Sequence, residues 1–209
     1  VYSLIRPWLW WQLLSCGFAH DSEAIGHILF NMLGLALLGR EVERVLGRWE
    51  FLRFYLLAVV AGSVVHLARI YFLAPETTDV LVGDTLVPYS PWTQGLWGAS
   101  AGVTGVVMLF ILYFPHRKLR LLLLPIEFPA WVLGTVFILI DVLGYGGIFL
   151  PIYGPQAANV AYDAHLAGAG LAFLYRQFGW NFGRMVPASF GDAMAKLGRV
   201  LRPRPKLRV

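Results

Sequence analysis

Gly98-Ala99-Ser100-Ala101-Gly102 opens a run, Leu96 to Phe114, that carries no charge for 19 residues. As a helix, that is long enough to cross the hydrocarbon core of a bilayer. A hydroxyl thereby stands about a turn inside a membrane helix. Gly98, Ala99, Ala101, Gly102 and Gly105 around it are all small, which lets another helix backbone approach closely where lipid supplies no hydrophobic drive for association. Taken alone, such a face reads as a helix contact with a serine bonded back to its own backbone. The rest of the chain changes that reading.

Of the 209 residues 58% are hydrophobic and only 14% charged, too apolar for an ordinary soluble globule. The chain reads as a polytopic membrane protein. Its net charge of +5 is concentrated in a few segments, so it speaks for membrane orientation and contact with lipid headgroups, with no nucleic-acid patch. Cys16 is the single cysteine; an internal disulfide and a cysteine-based metal cluster are excluded, and the residue reads as filling space. The start at Val1 reads as that of a segment of a longer protein.

Around the serine run, the chain divides into an interfacial segment at residues 1–22, a membrane domain at 23–178 and a basic tail at 179–209. The first segment carries Tyr2, Arg6, Pro7, Trp8, Trp10 and Trp11, amphipathic rings suited to headgroup depth but too broken for a span. Asp21 or Ser22 can cap the helix that follows. Apolar runs then cover Ala24 to Gly39, Phe51 to Ala74, the serine run, Phe128 to Gly144 and Val160 to Phe178, while Leu121 to Pro125 reads as skimming the interface. Lys and Arg cluster after the first, third and fifth runs, and the connections Pro75 to Gly95 and Gly144 to Tyr162 contain none. The positive-inside rule therefore predicts five alternating spans, with the basic turns and tail in the cytoplasm.

This topology brings polar groups on three helices to one depth. Ser100, about five residues into a helix entering from outside, lies roughly 7 Å below the boundary; His165 is a few residues into another such helix. His27 and Asn31, four apart on one helix face, occupy the outer end of the first span. Ionisable groups inside a membrane are costly and are read first as functional. A serine beside a histidine suggests a nucleophile and its general base, and Ala161, Ala164, Gly168 and Ala172 give the histidine helix a small face for the approach. Asn31, His27 and the Ser100 amide can donate to the oxygen on which acyl transfer builds negative charge. The plainer reading of His27 and Asn31 is an interhelical hydrogen bond.

His27-Ile28-Leu29-Phe30-Asn31-Met32, Gly98-Ala99-Ser100-Ala101-Gly102 and Ala164-His165-Leu166-Ala167-Gly168 resemble the three signature elements of the rhomboid intramembrane serine proteases. The likeness runs from Pro7 to Phe178 and includes Gly39, Glu43 and Gly47. It implies an all-α helical membrane bundle and a Ser100–His165 dyad, with an oxyanion site from His27, Asn31 and the Ser100 amide. The implied activity is an endopeptidase that cleaves single-span membrane proteins in or near the transmembrane segment, often after a small residue, without cofactor or metal. Transmembrane proteins are then its substrates and lipids its surroundings, and the implied location is a multi-pass position in a bacterial cell membrane with the site on the non-cytoplasmic side. Ala101 stands where the family mostly has glycine, and Thr104 where an aromatic often stacks on the histidine. The family's core has six spans; the first, ahead of the Trp-rich segment, reads as missing here, with either the chain cut short or Val1 to Leu14 the remnant of that span's exit.

Other polar residues carry blander expectations. His66 reads as a satisfied packing residue, Asp163 as a cap or an interfacial group on a different face from His165, and His20 as solvated. His116 belongs to a basic turn. No carboxylate is obviously placed to complete a triad, since Asp163 points to another face of the helix, and Asp141 reads as a side chain snorkelling to the outer interface. A metal site has little support, since no His or carboxylate pair at ligand spacing has a third ligand. The alternative function is a non-proteolytic rhomboid-like protein that binds transmembrane helices; such relatives typically lack the serine or the histidine. A transporter would call for broken paired helices or repeated halves.

Overall fold

The computed structural model describes residues 6–19, 25–73, 78–82, 85–89, 98–120, 126–148 and 160–185. It opens on short helical turns: a 3-10 turn at Pro7–Leu9, α1 (Gln12–Ser15) and a second 3-10 turn at Cys16–Phe18. Pro7 begins the first of these, where its missing N–H costs nothing. Trp8, Trp10 and Trp11 stay exposed, as expected of rings at headgroup depth. The caps expected at Asp21 or Ser22, the setting of His20, the Leu121–Pro125 segment and most of the basic tail lie outside the described residues.

The next helical run is continuous through α2 (Ile25–Gly34), a π-helical turn (Leu35–Gly39) and α3 (Arg40–Leu46). Gly47, at φ 82°, turns the chain into α4 (Arg48–Leu73). The strands β1 (Thr78–Val82) and β2 (Thr85–Tyr89) follow as an antiparallel hairpin with Val82 opposite Thr85, where the sequence reading has only a loop. Two apolar, β-branched runs separated by Gly83-Asp84 are a hairpin signal. Then come α5 (Ser100–Tyr113), the small antiparallel pair β3 (Lys118–Arg120) and β4 (Glu127–Pro129), α6 (Ala130–Tyr145) and α7 (Tyr162–Gln177).

Among the described residues the rest of the bundle is helical, and α5, α6 and α7 are shorter than the apolar runs that predicted them. Among the described residues only α4, with 26 residues, is long and apolar enough to cross a membrane; α5 and α6 are apolar but shorter. The 14 residues of α5 cover about 21 Å. Gly98, at φ 109°, holds a conformation no helix continues through, and Pro115 follows the other end. A short helix is tolerated because α5 is central: Val103, Val106, Val107, Leu109, Phe110 and Ile111 are all buried, so most of its length meets protein instead of lipid.

Around α5 the neighbours pack in alternating directions. Ala58 and Gly62 of α4 meet Gly105 and Ala101 in antiparallel order, whereas Ala164 and Gly168 of α7 run parallel to that pair. Gly34 of α2 lies against Val103 and Val107. On α6 the buried residues are Ala130, Gly134, Asp141 and Gly144; Gly134 packs on Ile111 and Gly144 on the Tyr162 ring. The outward faces are apolar as well, with Phe30, Phe72, Leu139 and Phe173 exposed. That combination suits a bundle whose solvent is lipid.

At the basic end of the bundle a buried carboxylate ties the chain after α7 to the start of α4. Glu50 accepts from Tyr175 Oη at 2.9 Å, from the Gly183 amide at 2.8 Å and from the Phe182 amide, with Arg53 Nη1 at 3.4 Å. Removing it strands the buried Tyr175 hydroxyl and two part-buried amides at once, at about 3 kcal/mol. Glu50→Ala is therefore expected to lower the thermal midpoint in detergent by about 6 to 12 °C. A thermal scan that finds the midpoint unmoved refutes this role.

Candidate active site

Ser100 is the first residue of α5, not a residue one turn inside it as the apolar run suggests. The correction follows from Gly98, whose positive φ starts the helix late. One consequence favours chemistry: the Ser100, Ala101 and Gly102 amides precede the first intrahelical acceptor, since the Val103 amide is the one that reaches Ala99 O, at 2.9 Å. Helix starts of this kind offer unspent N–H donors and a partial positive charge to a nearby anion. The Cys16 carbonyl accepts from the Gly98 amide at 3.0 Å, which ties the Trp-rich segment to this start.

His165 is the fourth residue of α7, and the close packing of small residues sets its helix against that of Ser100. A methyl at Gly168 would overlap the Ala101 carbonyl oxygen. A methyl at Gly62 would overlap the Ala101 methyl while lying 3.1 Å from the Ala164 carbonyl oxygen. Ala101 and Ala164 therefore meet at one point on α4, and Ser100 and His165, their sequence neighbours, flank it. Both are partly exposed. Among the described residues no hydrogen bond joins the Ser100 hydroxyl to the ring. Such bonds often tighten only once substrate is bound. The alanine that follows the serine is accommodated because Gly62 has no side chain opposite it.

Asn31 is buried and its Nδ2 has no hydrogen-bond partner among the described residues. A buried amide donor left without a partner costs about 1 to 3 kcal/mol, which is reason to ask what it waits for. Its level is set by packing: Gly34 lies against Val103, so in these parallel helices Asn31, one turn earlier, is level with Ser100. His27 lies one turn earlier again on α2; its side chain is outside what is described.

Two carboxylates depart from their expectations. Asp141 does not snorkel to the interface: it is buried, and its Oδ1 lies 3.0 Å from His165 Nδ1, with the two side chains 8% and 16% exposed. The reason is the face it occupies, since Asp141 shares the inward stripe of α6 with Gly134 and Gly144. Asp163 is neither solvated nor a simple cap. It is buried, with Oδ1 and Oδ2 at 2.9 and 3.1 Å from His66 Nδ1, Arg69 Nε donating to Oδ2 at 2.6 Å, and the Ala164 amide donating to Oδ1 at 2.9 Å. Two residues along a helix is about 200°, so Asp163 faces α4 while His165 faces α6. His66 is, as expected, a satisfied packing residue. An aromatic edge does reach the imidazole: in place of a ring at Thr104, Tyr162 lies 6.4 Å from it at 80°.

Comparison with known proteins bears on the family of the chain. The model of the rhomboid domain matches residues 7–182. The chain is 32% identical over 164 residues to RHOMBOID-like protein 12, mitochondrial, of Arabidopsis thaliana, covering 77% of this chain and 44% of the relative. It is 28% identical over 190 residues to Rhomboid protein 1, mitochondrial, of Saccharomyces cerevisiae, covering 88% and 45%. To Rhomboid protease GluP of Bacillus subtilis it is 28% identical over 167 residues, covering 79% and 25%. The chain thus spans less than half the length of each of these relatives. Two of the three bear mitochondrial names, so the likeness supports an integral membrane location and does not favour a bacterial cell membrane. No solved structure matches the chain. On the match across residues 7–182 and the three motif segments inside it, this chain belongs to the rhomboid family.

Proposed function

We infer that the chain is an intramembrane serine endopeptidase acting on single-span membrane proteins. Ser100 Oγ attacks the scissile carbonyl, and His165 takes the hydroxyl proton and returns it to the leaving amine. The Ser100 amide, the Asn31 amide and His27 hold the oxygen that gains charge. The site opens towards the membrane face opposite the basic turns. The observation that carries this reading is the junction of Ala101 and Ala164 on Gly62, with the unpartnered Asn31 Nδ2 on the adjacent helix. The family membership and the protease name of the Bacillus relative support it.

The test is cleavage of a fluorogenic single-span transmembrane peptide, with a small residue at the scissile bond, by purified protein in lipid. Cleavage dependent on Ser100 is expected. Asn31→Ala is expected to lower kcat about a hundredfold with KM little changed, because an oxyanion donor acts chiefly in the transition state. A rise in KM with kcat unchanged would assign Asn31 to substrate binding instead. Tight binding of the peptide with no cleavage would replace the protease by a helix-binding protein of the same family.

A further inference from the structure

A carboxylate within an apolar membrane helix is costly unless it is paired, and Ile140 and Val142 on either side of Asp141 are apolar. For packing alone, an apolar residue in the stripe with Gly134 and Gly144 would serve at less cost. Asp141 instead directs one oxygen at His165 Nδ1, 3.0 Å away, and His165 is its sole hydrogen-bond partner among the described residues. The nearby Asp163 differs: both its oxygens are engaged, by a histidine, an arginine and an amide, which is how a purely structural carboxylate is satisfied.

An imidazole has two ring nitrogens, and a base must present a lone pair on the one that faces its nucleophile. With Nδ1 occupied by a carboxylate, which can only accept, the proton of the neutral ring is on Nδ1 and the lone pair on Nε2. The ring is further held by the Tyr162 edge, and Tyr162 itself fills the space over Gly144, one turn beyond Asp141 on the same helix. Helix α6 therefore supplies both the hydrogen-bond acceptor and the seat for the ring that borders the imidazole.

Building on the protease reading, we propose that Asp141 is a positioning residue for the reaction: it fixes the tautomer and rotation of His165 so that Nε2 faces Ser100, and it stabilises the imidazolium formed when the serine proton is taken. The site then works as Ser100, His165 and Asp141 drawn from α5, α7 and α6, in place of a serine and histidine alone. The proton travels from Ser100 Oγ to His165 Nε2 and on to the leaving amine; Asp141 stays ionised throughout.

The test measures kcat and KM separately for the wild type, Asp141→Asn and Asp141→Ala with the same fluorogenic peptide in lipid. Both variants are expected to lose about a hundredfold in kcat per folded molecule, the folded fraction taken from a thermal scan, with KM within about twofold. Independently of any variant, 15N resonances of labelled histidine in the wild type, assigned by subtraction of His165→Gln, are expected to place the neutral ring's proton on Nδ1. Full kcat in Asp141→Ala, in protein whose activity still requires Ser100, would overturn the proposal and leave the protease reading intact, as would a proton found on Nε2. A wild type that never cleaves would remove the protease reading, while the nitrogen resonances would still decide what Asp141 does to the ring. Variants that fail to fold leave that wild-type measurement to decide.

Discussion

Ser100→Ala and His165→Ala are each expected to reduce cleavage by about 10^4-fold or more, and the double variant to be no worse than either alone. Residues that act as one unit fail together: a hydroxyl without its base is a weak nucleophile, and a base without the hydroxyl has nothing to activate. The structure gives the physical reason to treat them so, since Ala101 and Ala164, the residues beside them, meet over Gly62. Additive losses, or activity surviving either change, would separate the two side chains and end the dyad. Steady-state kinetics on the three variants decide it.

The second large effect belongs to a residue that touches no substrate. Gly168 sits where a methyl group would overlap the Ala101 carbonyl oxygen, and a backbone oxygen inside a packed helix has little freedom to yield. Gly168→Val is expected to push α7 away from α5 and cost about 1 to 3 kcal/mol in overpacking. It is also expected to lower kcat/KM at least about a hundredfold, as a misplacement near 1 Å at the reacting atoms does. Gly170, two residues on, has nothing within 4 Å of the same position; Gly170→Ala is expected to leave both quantities nearly unchanged. A Gly168→Val protein with wild-type activity and thermal midpoint would mean that this contact does not set the geometry.

The three short motifs were legible because each sets polar residues in an apolar run, with small neighbours around Ser100 and His165, and the charge bias of the loops ordered their helices. The start of α5 was legible too, had Gly98 been read as a break instead of as one more small residue in an apolar run. The hairpin was written in the two apolar, β-branched runs on either side of Gly83-Asp84. Asp141 is the instructive case. Its partner is 24 residues away on another helix, and whether a carboxylate near a helix end turns to water or inward depends on packing that one sequence does not display. The available signal was its place among Ala130, Gly134 and Gly144, the small residues of α6 that mark the buried stripe. Asp163 was hidden in the same way, because His66 and Arg69 lie almost a hundred residues earlier in the chain. The ring that borders the imidazole is Tyr162 on the histidine's own helix, a contact visible only once α7 is built.

The most direct measurement is covalent labelling of the intact protein in lipid by a fluorophosphonate, which reacts with a serine only when a base has activated it. The account predicts a single adduct on Ser100, seen by mass spectrometry of the digested protein, absent in Ser100→Ala and slowed severely in His165→Ala. Labelling at another serine, or labelling of Ser100 at the same rate without His165, would contradict it.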